Sequence, residues 1–311
     1  MKKAELFEII DAEKKTLRCL ACSQKCIIGE GKTGLCGVRK NINGEFYLLV
    51  YGKIVSQNID PIEKKPLNDF LKRSYSYSIG VLGCNFKCLF CQNYDISQFR
   101  EFYEDNVIDK IPETSPEEVV DEALRTGCKS ISYTYTEPAI FVEYIKDVAI
   151  KAREKGLKNV LVTNRYMSNE GLEFLYDKDK EESLIDAMNI DLKSFDDGFY
   201  RDICGATKGM QPVLDTIKRA VEAGIHVEIT TLVIPGENDS SENLKKIAEF
   251  IYSLDNGSGK EKGNVPWHIS RFFPMYKFDD GIHKPTSIDK LKEAEMIGKD
   301  AGLKKVYLGN V

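Results

Sequence analysis

From residue 75 onward, strand-like and helix-like stretches alternate, and nothing else in the chain restricts its fold as tightly. Apolar strand candidates fall at 77–82, 130–135, 159–163, 187–192, 226–233, 267–273 and 304–308. Between them lie helical patterns at 116–126, 138–155, 168–176, 209–223, 240–254 and 287–301. Strands separated by helices pair in parallel through right-handed crossovers. Six or more such units predict an α/β fold closed as a partial (β/α)6 TIM-like barrel. In barrels of this kind the chemistry gathers where strands end and loops begin. The 311 residues suit a large domain with a small one. We divide them into a cysteine-rich knuckle, hairpin and linker over 1–72 and a barrel over 73–311.

The loop after the first barrel strand reads Gly83-Cys84-Asn85-Phe86-Lys87-Cys88-Leu89-Phe90-Cys91-Gln92-Asn93. Its cysteines have a C-x3-C-x2-C spacing. A cube-shaped iron–sulfur cluster has four irons, each normally taking one thiolate. Three cysteines hold three corners and leave one iron open, whereas a structural metal site closes itself with four protein ligands. A second group, Cys19, Cys22, Cys26 and Cys36, lies among Gly29, Gly31, Gly34 and Gly37, in a turn-rich knuckle. Its four thiols match a closed site, for which zinc and an auxiliary iron–sulfur cluster are both compatible; incidental thiols are the alternative. Seven of the nine cysteines precede residue 92. No apolar run approaches the ~20 residues of a membrane span, and the charged start carries no secretory signal. A cytoplasmic location follows, where thiols stay reduced and serve metal or redox chemistry. The net charge of -5 offers no positive field for nucleic acid.

Ahead of the barrel, residues 1–16 read as an amphipathic helix with Leu6, Phe7, Ile9 and Ile10 as its apolar face. Asn43-Gly44 marks a hairpin turn within 38–59. The stretch from Asp60 to Pro66 reads as a linker, with Lys64 or Lys65 reaching a carboxylate at the site mouth as the functional alternative. Several polar residues fall at strand ends. Glu137 precedes Pro138 at a helix start, and Asn164 follows Thr163 in a turn. Asp191 and Lys193 project to one side of their strand, as site residues or as a buried ion pair. His268 stands in the same layer, although a histidine in a strand is most often a hydrogen-bonded structural residue. Cys128 reads as a small buried residue, and Cys204 lies in a polar loop that would expose it.

Together these residues resemble the radical S-adenosylmethionine (SAM) superfamily, with Phe90 as the aromatic before the last cysteine. Cys91-Gln92-Asn93, Asp191-Leu192-Lys193 and Ile234-Pro235-Gly236-Glu237-Asn238-Asp239 look like motifs of pyruvate formate-lyase activating enzymes, which act on glycyl radical enzymes. The front cysteines, the run from Asp60 to Leu67, Tyr133 to Pro138 and Val265-Pro266-Trp267-His268 resemble AmmeMemoRadiSam-system enzymes. The resemblance implies a [4Fe-4S] cluster on Cys84, Cys88 and Cys91, with SAM on the open iron. It places Phe90 against adenine, the backbone around Thr134, Thr136 and Glu137 at the methionine amine, and Asn164 at the ribose. Asp191, Lys193 and His268 line the methionyl end. Thr136 and Arg165 stand where many relatives have glycine, and Val162 where activating enzymes have an acidic cation ligand. The implied activity is reductive cleavage of SAM to a 5′-deoxyadenosyl radical that abstracts hydrogen from a protein or small-molecule substrate, fed by a flavodoxin or ferredoxin. A zinc-stabilised binding barrel is the non-catalytic alternative.

Overall fold

The computed structural model describes residues 1–254 and 262–311. The first correction is at the start of the chain. In place of a helix over 1–16, strands β1 (Phe7–Asp11) and β2 (Thr16–Cys19) pair antiparallel, with Phe7 opposite Cys19 and Ile9 opposite Leu17. The apolar residues there cluster without a sustained helical period, and Ile9 and Ile10 are exposed. Lys15 closes the turn at a positive φ of 48°. The predicted hairpin is present as β3 (Arg39–Ile42) and β4 (Glu45–Leu48). Asn43 and Gly44 both take positive φ, 55° and 85°, as the tight primed turn requires.

Strand β5 (Ile54–Pro61) then leaves the front half and runs antiparallel to β6 (Tyr75–Val81) at the edge of an eight-stranded sheet. The remaining strands follow in chain order: β7 (Ser130–Tyr133), β8 (Lys158–Thr163), β9 (Ala187–Asp191), β10 (His226–Val233), β11 (Trp267–Arg271) and β12 (Val306–Gly309). From β6 to β12 every neighbouring pair is parallel. Six helices supply the crossovers: α1 (Pro116–Arg125), α2 (Val142–Glu154), α3 (Asn169–Phe174), α4 (Gln211–Glu222), α5 (Ser241–Ser253) and α6 (Ile288–Asp300). Local chemistry fixes their starts. Ser115 and Glu118 form a reciprocal capping box on α1, and Ser240 and Ser287 cap α5 and α6. Among the described residues no helix is long and apolar enough to cross a membrane.

The second correction concerns residues 60–66. Rather than a free linker, this stretch enters the barrel interior, where Ile62 and Leu67 pack on Val160 and Ala187. The Pro66 carbonyl accepts from Asn189 Nδ2 at 2.8 Å, and the Asn68 and Asp69 amides donate to Glu228 at 3.0 and 2.8 Å. Lys65 is buried with its ammonium 2.7 Å from Asp60, and Lys64 is exposed. Glu228 is the polar centre of this region. It also receives His226 at 2.9 Å and His268 at 2.6 Å. Burial pushes its pKa up, but these hydrogen bonds outweigh that and hold the carboxyl at about 2.

Candidate active site

The cysteine loop leaves β6 through Gly83, at a φ of +96°. A Cβ there would lie 2.5 Å from the Cys36 carbonyl oxygen, so only glycine permits this approach of the front cysteine group. Cys88 is buried, and Cys84 and Cys91 are half-buried. The Phe86 amide donates to Cys84 Sγ at 3.4 Å, and Ser97 Oγ lies 3.2 Å from Cys91 Sγ. Burial pushes the Cys91 thiol up to about 11, and burial and then Glu137 raise that of Cys84. The Cys88 thiol is raised first by a hydrogen bond with Cys204 and then by burial. This corrects the reading of Cys204 as exposed: it is fully buried, and the Cys204 and Ile203 carbonyls accept from the Lys87 and Leu89 amides at 2.8 and 3.0 Å. The loop therefore gathers three soft sulfur donors in an apolar setting. Among the described residues no group of three or more His, Cys, Asp or Glu is poised to hold a metal ion as it stands. Three thiols are nonetheless the donors that a multi-iron cluster takes, each thiolate binding its own iron.

Later strands deliver the other predicted residues. Glu137, at the end of β7, accepts from Thr163 Oγ1 at 2.7 Å, the Ala139 amide at 3.0 Å and the Asn164 amide at 2.8 Å. It ties the ends of β7 and β8 together, and burial raises its pKa. Asn164 donates through Nδ2 to Asn85 Oδ1 at 2.8 Å, which places it against the cysteine loop. Thr136 donates to the Val81 carbonyl at 2.9 Å, and Asn93 donates to the Tyr135 carbonyl at 2.7 Å, so the β7 loop is bound to the cysteine loop on both sides. Asp191 and Lys193 form an ion pair at 2.9 Å, and the Lys193 ammonium lies 5.6 Å from the Phe90 ring centroid. Phe90 is buried between Phe199 and Phe278, each 6.0 Å away. His268 is level with Asp191 in the sheet register, through Thr230, but its imidazole is bound to Glu228.

Sequence reasoning passed over Asn85, Gln24 and Glu228. Gln24 donates to the Asn85 carbonyl at 2.8 Å and the Gly205 carbonyl at 2.9 Å, bridging the front module to the loop. For Glu228 there was a signal: His226, Glu228 and Thr230 alternate along β10, a polar face opposite one that is apolar except for Thr231. Arg165 is fully buried with Nε and Nη2 lacking hydrogen-bond partners among the described residues. Burial pulls its pKa down to about 9.

The loop after β11 closes one side of this aromatic set. His283 stacks on Phe278 at 3.7 Å, with Nε2 3.1 Å from Glu237 and Nδ1 2.8 Å from Asp280. Burial lowers its pKa, but the two carboxylates outweigh this and raise it above 6.5. A raised histidine pKa gives stability that is full below the unfolded value and lost as pH rises through the folded one. Wild type should therefore lose about 0.5–1 kcal/mol more than His283→Gln between pH 6 and pH 9. Paired urea melts at the two pH values check this, and equal losses would remove the imidazolium from the account.

Residues 79–251 match the radical SAM superfamily. The chain is 44% identical over 313 residues to the uncharacterized protein MJ0808 of Methanocaldococcus jannaschii, covering all of this chain and 86% of that one. It is 28% identical over 231 residues to MJ1632 of the same organism, provisionally named a glycyl-radical enzyme activating enzyme, covering 74% of this chain and 76% of that one. A radical SAM methyltransferase structure from Sphaerobacter thermophilus shares the fold with a TM-score of 0.51 at 13% identity, covering 75% of this chain and 66% of that one.

Proposed function

Since this chain belongs to the radical SAM superfamily, we propose that it cleaves SAM reductively and passes the resulting radical to a polypeptide substrate, as a glycyl-radical-enzyme activator does. What supports the reading is the meeting of three thiols on one strand-to-helix loop with Asn164, Asp191 and Lys193 from later strand ends. Cys84, Cys88 and Cys91 would hold the [4Fe-4S] cluster. When bound, that cluster supplies the electron that splits SAM into methionine and a 5′-deoxyadenosyl radical. Lys193, kept charged by Asp191, would bind the methionine carboxylate, and Asn164 the ribose. The β7 loop from Thr134 to Glu137 would present backbone carbonyls to the methionine amine, its shape held by the Glu137 and Thr136 hydrogen bonds. Phe90 would cover the adenine, and His268, oriented by Glu228, would face the methionyl end across the barrel. The likeness to MJ1632 favours a glycine Cα–H in a partner protein as the hydrogen donor. A flavodoxin or ferredoxin would supply the electron.

The test is anaerobic reconstitution with iron and sulfide, followed by dithionite and SAM. We expect methionine and 5′-deoxyadenosine in equal amounts. A protein that binds iron at this loop yet forms neither product would overturn the reading.

A further inference from the structure

Cys19, Cys22, Cys26 and Cys36 come from separate turns, yet all four line one pocket with Arg39 and Asn85. All are free thiols, and Cys26 alone among them is not fully buried. Backbone amides are directed at the sulfurs: Ala21 at Cys19, Gln24 at Cys22 and Leu35 at Cys26. Asn85 Nδ2 is buried and without a hydrogen-bond partner among the described residues. The pocket thus combines four thiols, N–H donors aimed at three of them and the buried Arg39 guanidinium, which is itself paired with Glu143. N–H donors of this kind stabilise thiolates and the bridging sulfides of a cluster.

Four thiols suit zinc and an iron–sulfur cluster alike. What favours the redox-active group is its place: Asn85, beside Cys84, lines this pocket, and the Cys36 carbonyl lies against Gly83 at the start of the cysteine loop. We propose that Cys19, Cys22, Cys26 and Cys36 hold a second [4Fe-4S] cluster, with all four irons ligated by protein and none open to SAM.

Its position assigns the role. Through Asn85 and the Cys36 carbonyl, the two cysteine sets adjoin at the start of the cysteine loop. The second cluster is a one-electron relay. A reduced flavodoxin or ferredoxin loses one electron to it, and it loses one to the site at Cys84 to Cys91, with no bond made or broken.

The full chain, reconstituted without oxygen, should bind about eight irons and about eight sulfides, and the triple variant Cys84→Ala/Cys88→Ala/Cys91→Ala about four of each. On reduction the triple variant should give a paramagnetic signal that SAM leaves unchanged. Cys19→Ser/Cys36→Ser should lose about four irons and keep a SAM-responsive signal. About four irons in wild type, or zinc or no metal in the triple variant, would overturn the proposal. These readouts do not depend on SAM cleavage, so they stand apart from the test of the proposed function.

Discussion

Replacing Cys88 with alanine is expected to lower SAM cleavage by more than about 100-fold, beyond the range typical of second-shell changes around a metal. The reason lies in the loop. Cys88 is the buried middle thiol of the three, flanked by Phe90 and by the Ile203–Cys204 backbone that accepts from the loop amides. Losing one sulfur from a buried site costs about 1 kcal/mol of stability. Because those loop hydrogen bonds are to backbone, the variant should fold and melt nearly as wild type does. Cys128→Ala is the matched control, a buried thiol whose hydroxyl partner is Thr126 at 3.4 Å, away from the loop. Product assays and melts on both variants decide the matter. Equal cleavage by Cys88→Ala and wild type would remove the loop from the chemistry. Lys193→Met should differ from both, keeping iron but weakening SAM binding.

How much of this was legible beforehand depends on the range over which each residue acts. The barrel strands were readable because each is a continuous apolar run bounded by turns, and Ser115 and Ser240 announce helix starts locally. The cysteine loop was readable because its three cysteines lie within eight residues. Asp191 and Lys193 were legible only as alternatives, and the structure pairs them while bringing Lys193 toward Phe90. What failed was non-local. Residues 1–16 are strands because β2 and the knuckle bury Leu17 and Cys19, which no periodicity within that stretch encodes. The stretch from Asp60 to Pro66 enters the barrel because Asn189, more than a hundred residues later, binds the Pro66 carbonyl, and Glu228 binds the Asn68 and Asp69 amides that follow. Cys204 is buried because the cysteine loop covers it, although its own neighbours in sequence are polar.

Arg39→Met should be the most destabilising single change outside the barrel strands, by about 3–5 kcal/mol. Arg39 is almost wholly buried, and its Nη1 and Nη2 reach the Glu143 carboxylate at 2.9 and 2.5 Å. Its Nε donates to the Ile140 carbonyl at 2.9 Å. Glu143 belongs to α2 of the barrel and Arg39 to the front hairpin, so one fork of hydrogen bonds joins the two halves. Removing the cation leaves a buried carboxylate whose other hydrogen bond, from the Glu5 amide at 3.2 Å, cannot replace it. The melting midpoint should fall by roughly 10 °C at this chain length. The double variant Arg39→Met/Glu143→Leu should recover most of the loss, because the penalty arises from the uncompensated charge rather than from a missing attraction. Thermal melts of the two single variants and the double separate these terms. If Arg39→Met melted only the front half, in a transition of its own, the halves would be independent units. A single transition shifted as a whole would show that the front cysteine module and the barrel fold together, in keeping with the close approach of the Cys36 carbonyl to Gly83.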